Sequence, residues 1–335
     1  AFSSPDGVLD RMILNSLFPD TTYANESGGD PDVIPELTYE EYLNFHRTYY
    51  HPSNSYIYLY GNMDMEEKLN WLDQEYLSAY DKKEVDSEIH LQKPFEKMHD
   101  ITKPYSIASN ESTEDNTYLS YNKVIGTSLD EKLYLAFQIL DYALLSAPGA
   151  PITKALLEAG IGKDISGSYD SSTYQPIFSI VAKNANEEQK AEFVKVIEDT
   201  LKGIVENGMD KKALEAGINY HEFRYREADF GGYPKGLMYG LQIFDSWLYD
   251  ENKPFIHIEA GKTFEQIKKE KESGLFEKII LKSKSRRTCL SAIAFHCMIY
   301  SGIYCLFKNS VTLCSIRAAT FSVSALINFS PTICS

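Results

Sequence analysis

Residues Ser27 to Asn62 read SGGDPDVIPELTYEEYLNFHRTYYHPSNSYIYLYGN, and the rest of the chain is organised around them. Gly28-Gly29 can take a positive φ, and Asp30-Pro31 then forces an extended exit from the turn. Thr38 and Glu41 have the spacing of a capping box, which predicts a helix from about Tyr39. Tyr39, Tyr42, Leu43, His46, Tyr49 and Tyr50 recur at helical spacing and predict one broad buried face. His51-Pro52 stops that helix. Tyr56 to Tyr60 reads as a buried strand closed by Gly61, and Asp64 caps the next helix.

Upstream, Ser4 and Pro5 open a short helix with Val8, Leu9, Met12, Ile13 and Leu17 on one face. Downstream, the helix from Asp64 runs to Tyr80. The charged connection Asp81 to Asp86 marks a domain boundary near residue 83. Extended segments follow at 89–95, 105–108 and 117–125. Ser128 and Glu131 form another capping box, opening the most apolar helix of the chain, with Leu133, Phe137, Leu140, Ala143 and Leu144 as its spine. It ends at Pro148-Gly149, and a short helix runs on to Gly160. Strands are predicted at Asp164–Ser171 and Ile177–Ala182. Helices capped by Asn186 and Asp210 come next, then a last one from Pro234 to about Tyr249. This order predicts an α+β fold. Residues 84–281 form one domain, a sheet with helices on one face. Residues 1–83, with a single convincing strand, read as the second half of another such domain.

The charge balance excludes one class of partner. The chain has 335 residues and a net charge of −15, the opposite of the clustered Lys and Arg that nucleic-acid backbones require. Charge and cysteine are also unevenly spread. Residues 1–281 hold all 48 acids, whereas 282–335 hold none, with six basic residues and all five cysteines. Three readings of 282–335 stand. Leu290–Phe307 behind KSKSRR is a marginal membrane span. A third reading, ranked behind the span, is a disordered or cysteine-rich metal-binding segment, although its cysteines form no close pairs. The missing acids and sudden cysteines fit best a stretch that does not belong to the fold.

The ordered set of helix, YYHPSN, SYIYLYGN and helix resembles the segment that follows the zinc site in pitrilysin/insulinase-type metallopeptidases. The fuller string SGGDPDVIPELTYEEYLNFHRTYYHPSNSYIYLYGNMD is similar to their presequence-protease branch. With less distinctive motifs, the resemblance extends to about Leu281. It implies a metallopeptidase-like α/β sandwich, of which this chain carries the end of the first domain and most of the second. The complete enzyme would have four such domains in a clamshell around unfolded peptides. Zinc would be held by two His and a Glu, with the Glu of an inverted His-x-x-Glu-His motif as general base. None of the seven histidines (46, 51, 90, 99, 221, 257, 296) begins or ends that motif in either orientation. The nearest, His221-Glu222, has Tyr225 where the second His would be, and reads as a polar helix face of ion pairs. His46 reads as a core or boundary histidine and His51 as a helix-end residue.

The chain is therefore expected to carry no catalytic residue and to bind no zinc by itself. Zinc and the missing remainder of the clamshell belong to the whole enzyme, a soluble protein of the cytoplasm or an organelle lumen. Two readings remain for Ser27, Gly28, Gly29 and Asp30. By resemblance they form a substrate-facing loop close to the metal centre; by local chemistry they form a tight turn. The glycines at 160, 162 and 167 are read as turn residues. A second functional class is also open: a ligand-less relative that holds peptides or serves as a scaffold.

Overall fold

The computed structural model describes residues 4–107, 110–228, 230–285 and 290–299. They fall into two compact units, residues 4–24 with 90–299, and residues 25–89. In chain order the elements begin with α1 (Pro5–Leu17), α2 (Tyr39–Tyr49) and α3 (Met65–Glu75). After these come β1 (His99–Ile107), β2 (Thr117–Val124), α4 (Glu131–Asp141), α5 (Pro151–Glu158), β3 (Asp164–Asp170) and β4 (Ile177–Ala185). The chain continues through α6 (Lys190–Asn207), α7 (Lys211–Glu227), α8 (Lys235–Trp247), α9 (Gly261–Glu270), α10 (Leu275–Ser285) and β5 (Leu290–Ile299).

The larger unit is an α+β structure on a five-stranded sheet of order β1-β5-β2-β4-β3. All pairs are antiparallel except β1 with β5. Strand side chains alternate between faces, so residues two apart share a side. Leu119 and Tyr121 of β2, with Phe178, Ile180 and Ala182 of β4, meet a helix layer built from α4, α5, α6, α7, α9 and α10. Val124 and Ile177 meet Leu9, Met12, Ile13 and Leu17 of α1 on the other face. The sequence boundary near residue 83 thus lies close to the junction between units at 89/90, whereas α1 belongs with the larger unit. The apolar face of α1 finds its partner layer on that sheet.

Local signals account for most helix starts. The Thr38–Glu41 capping box is formed, with Glu41 N–H to Thr38 Oγ1 at 3.2 Å and Thr38 N–H to Glu41 Oε2 at 2.8 Å. Asp64 caps α3 and Asp210 caps α7. Asn186 and Gln189 form a capping box ahead of α6, and Gly208 ends that helix at φ 84°. Two caps differ from expectation. Ser4 precedes α1 without a side-chain cap hydrogen bond. Asp130, not Ser128, caps α4 by accepting from Leu133 N–H. Ser128 is fully buried, and its backbone N–H donates to Tyr174 O. After Asp141 the helix closes with one π turn, Tyr142–Ser146.

Four expectations are corrected by the structure. No residue of 25–89 is buried, and Tyr39 and Tyr42 on α2 are 75% and 61% exposed. A helix forms on its own caps and periodicity, but its apolar face is buried only against a second layer. Tyr56–Tyr60 is assigned to no strand. Among the described residues, 89–95 also pair with no strand: Gln92 N–H donates to the Gln175 side chain at 2.6 Å, and Pro94 has no N–H to give. Against the reading that 282–335 stands outside the fold, α10 continues to Ser285 and β5 lies between β1 and β2. An apolar run free of acids suits a central strand. Residues 300–335, including the rest of the 290–307 segment, lie outside the described residues.

Candidate functional site

The Ser27–Asp30 loop is built by its own backbone. Gly29 N–H donates to Glu26 O at 3.0 Å, and Asp32 N–H to Asp30 Oδ1 at 2.9 Å. Gly29 has φ 78°, and a Cβ there would lie 2.9 Å from Ile34 Cδ1. The positive φ is what demands glycine at 29, since the Ile34 methyl could shift. Gly28 is different. It has no positive φ, and a Cβ would meet only Glu26 Oε1 at 4.0 Å. The turn explains one glycine and leaves the other without a local reason. Ser27, Gly28 and Asp30 are exposed.

The histidines do not converge. His46 is exposed and stacks on Tyr50, with ring centroids 4.4 Å apart, rather than lining an inner face. His51 Nδ1 accepts from Ser53 N–H at 3.2 Å. His221 is turned inward and donates to Gln138 O, and burial, with Arg224 adding, pulls its imidazole down to about 4. Its neighbour Glu222 forms the expected ion pair to Arg226 at 2.7 Å, and a further one to Lys268 of α9 at 2.6 Å. Among the described residues no group of three or more His, Cys, Asp or Glu side chains is disposed to hold a metal ion.

The most chemically distinctive cluster lies elsewhere, around Asp245 of α8. Asp245 Oδ2 accepts from the Tyr134 hydroxyl of α4 at 2.8 Å and from Ser171 Oγ at 2.9 Å. Burial pushes its carboxyl up to about 7 despite those two donors, and Asp170 adds to the rise. Among the described residues no cation pairs with it. His257 stacks on the Tyr134 ring at 3.7 Å, donates to Ser128 O, and is pulled down to about 4 by burial. Tyr249 stacks on Tyr174 at 4.4 Å, and its hydroxyl lies 2.8 Å from that of Tyr23. Sequence reasoning missed this cluster. Tyr134 and Asp245 are 111 residues apart, and no local spacing links them. Only an aspartate on an otherwise apolar helix face could have hinted at it.

A family model described as the peptidase M16 inactive domain matches residues 36–220. The chain belongs to this family. It is 49% identical over 296 residues to Protein HypA of Clostridium perfringens, a match covering 88% of this chain and 30% of that protein. It is 36% identical to presequence protease 1, chloroplastic/mitochondrial, of Arabidopsis thaliana, covering 86% of this chain and 28% of that protein. The chain thus spans under a third of these relatives' length. Among solved structures, the peptidase M16 inactive domain from Pseudomonas fluorescens aligns with a TM-score of 0.62 at 15% identity, covering 89% of this chain and 66% of that one. A protease from Helicobacter pylori aligns at 0.60 and 12% identity, covering 88% and 72%. These likenesses agree with the α+β architecture. No helix among the described residues is long and apolar enough to cross a membrane.

Proposed function

We propose that this chain supplies a non-catalytic part of the wall of a zinc metalloendopeptidase that encloses unfolded peptides, with the metal ligands contributed by sequence outside residues 1–335. The observation that carries the reading is the family match over residues 36–220 in a chain whose seven histidines include no His-x-x-Glu-His in either orientation. Residues 1–83 are read as the end of a first peptidase domain, with α1 packed on the larger unit, and 84–281 as most of a second. Support comes from α2 and α3, whose apolar residues have no covering layer within their own unit. Ser27–Asp30 is read as a substrate-facing loop, supported by Gly28, whose lack of a side chain the turn does not require.

The test uses the whole chain. After mixing with zinc and dialysis, metal content is measured and an unstructured peptide is assayed for cleavage. The expected result is neither stoichiometric zinc nor chelator-sensitive cleavage. Joining the chain to the remainder of the HypA relative should then confer both. Stoichiometric zinc with chelator-sensitive cleavage by the chain alone would overturn the proposal. Peptide binding without cleavage in the joined protein would favour the ligand-less scaffold instead.

A further inference from the structure

Residues 230–259 are attached to the larger unit in an unusual way. Neither hydrophobic cluster of that unit draws a side chain from them, although α7 before and α9 after both contribute. The buried positions of α8 are Gly236, Gly240, Ile243 and Ser246, three of them small. Its large residues Leu237, Met238, Leu241, Phe244 and Trp247 stay part-exposed. By contrast, α4 buries Tyr134, Leu135, Phe137, Ile139 and Leu140. Burial in a shared core is what usually fixes a helix to its domain, and the apolar residues of α8, though largely covered, join neither core cluster.

The polar ties between the segment and the rest of the unit lie toward its C-terminal half. Asp245 takes the Tyr134 and Ser171 hydroxyls. Tyr249 meets Tyr23 and stacks on Tyr174. His257 donates to Ser128 O, and Tyr225 donates to Ile258 O at 2.6 Å. The segment also has internal ties that would keep it together, such as Ser246 Oγ to Lys253 O at 2.6 Å and the Phe230–Tyr239 ring contact. At its start Gly231, with φ 60°, and Gly232 give a pivot that residues with a Cβ rarely allow.

We propose that residues 230–259 form a strap that opens as a unit while the rest of the domain stays folded, pivoting at Gly231-Gly232 and latched by Asp245, Tyr249 and His257. Local openings of this kind occur where few apolar contacts are shared with the core. Opening uncovers the rings of Tyr134 and Tyr174, which His257 and Tyr249 cover in the closed form. The inference does not depend on whether the whole protein is a peptidase.

Native-state hydrogen exchange of the full chain, followed by mass spectrometry across a series of low urea concentrations, tests it. Amides of α8 should exchange on the order of a hundredfold faster than those of α4 and with a smaller urea dependence. Tyr134→Phe and Tyr249→Phe each remove one latch hydroxyl. Each should speed α8 exchange about tenfold while α6 exchange is unchanged. If α8 exchanges at the rate of α4 with the same urea dependence, the strap does not open separately and the proposal fails. It fails equally if both variants fold and leave α8 exchange unaltered. Should either variant fail to fold, the wild-type urea series decides alone.

Discussion

Asp245 and His257 lie on the same segment and are displaced in opposite directions by the same cause, burial. The Asp245 carboxyl sits at about 7, above the ordinary range near 4, so the folded state holds a proton that the unfolded state has released. Its contribution to stability is full below pH ~4 and is lost as pH rises through 7. The His257 imidazole sits at about 4, below its ordinary value near 6.5, so its contribution is full above pH ~6.5 and is lost as pH falls through 4. Over pH 4–7 the two slopes oppose each other and largely cancel. Asp245→Asn should leave the His257 slope exposed, with stability rising from pH 4 to 6.5 relative to wild type. His257→Gln should leave the Asp245 slope, with stability falling from pH 4 to 7. Each excursion is up to about 3–4 kcal/mol, from roughly 1.4 kcal/mol per pKa unit. Urea unfolding at four pH values measures both, and parallel curves for the two variants would refute the assignment. At this scale the sequence was legible only where a residue acts on its own neighbours. Asp64, Asn186 and Asp210 cap helices as their positions predict. Gly167 was misread as a turn residue. It lies mid-strand in β3 without positive φ, and a Cβ would collide with Leu145 Cδ1 and lie 2.8 Å from Asp141 Oδ1. Close approach between β3 and the end of α4 requires it, and that is a tertiary fact.

At the scale of elements, helices were readable because caps and 3.6-residue periodicity are local, whereas strands depend on partners. Leu17 shows where the two kinds of information meet. It is the last residue of α1, was expected on the helix's apolar face, and is fully buried. What it packs against could not be read from the sequence. The structure places it in a cluster with Tyr105, Val124 and Ile177, from three strands of the larger unit. Leu17→Ala should therefore destabilise the larger unit by about 2–5 kcal/mol, the usual cost of a cavity at a fully buried leucine. The probe should report on that unit alone. Near-ultraviolet circular dichroism of its buried tyrosines, followed through a urea transition, serves. A shift of the transition by less than the equivalent of ~1 kcal/mol would mean that α1 is not part of this core. α9 and α10 went unpredicted, although Phe264, Ile267, Phe276 and Ile280 are core residues. Their apolar positions are interleaved with Lys and Glu, and without a strong N-terminal cap the periodic signal there is easily passed over.

At the scale of the whole molecule, the chain enters the larger unit with α1, leaves it for residues 25–89 and returns. The intervening unit has no buried residue, and Leu69, Trp71, Tyr76 and Tyr80 on and after α3 are among its exposed apolar side chains. A segment without a core opens at little cost, so it is the first place a protease can cut. The larger unit has two hydrophobic clusters, one on each face of its sheet, and should resist. Limited proteolysis at low protease concentration should therefore nick the chain within 25–89 and leave a body that begins near residue 90. The decisive point is the fate of residues 4–24. Tyr23 is tied to Tyr249 and Tyr174, Asp20 exchanges hydrogen bonds with Gln92, and α1 covers one face of the sheet. The N-terminal peptide should accordingly stay bound after the nick. It should co-elute with the body in size-exclusion chromatography under native conditions and separate from it in denaturant. If the peptide is released as soon as 25–89 is cut, α1 belongs with the segment that follows it, and the sequence-derived boundary near residue 83 would describe the molecule better than the junction at 89/90.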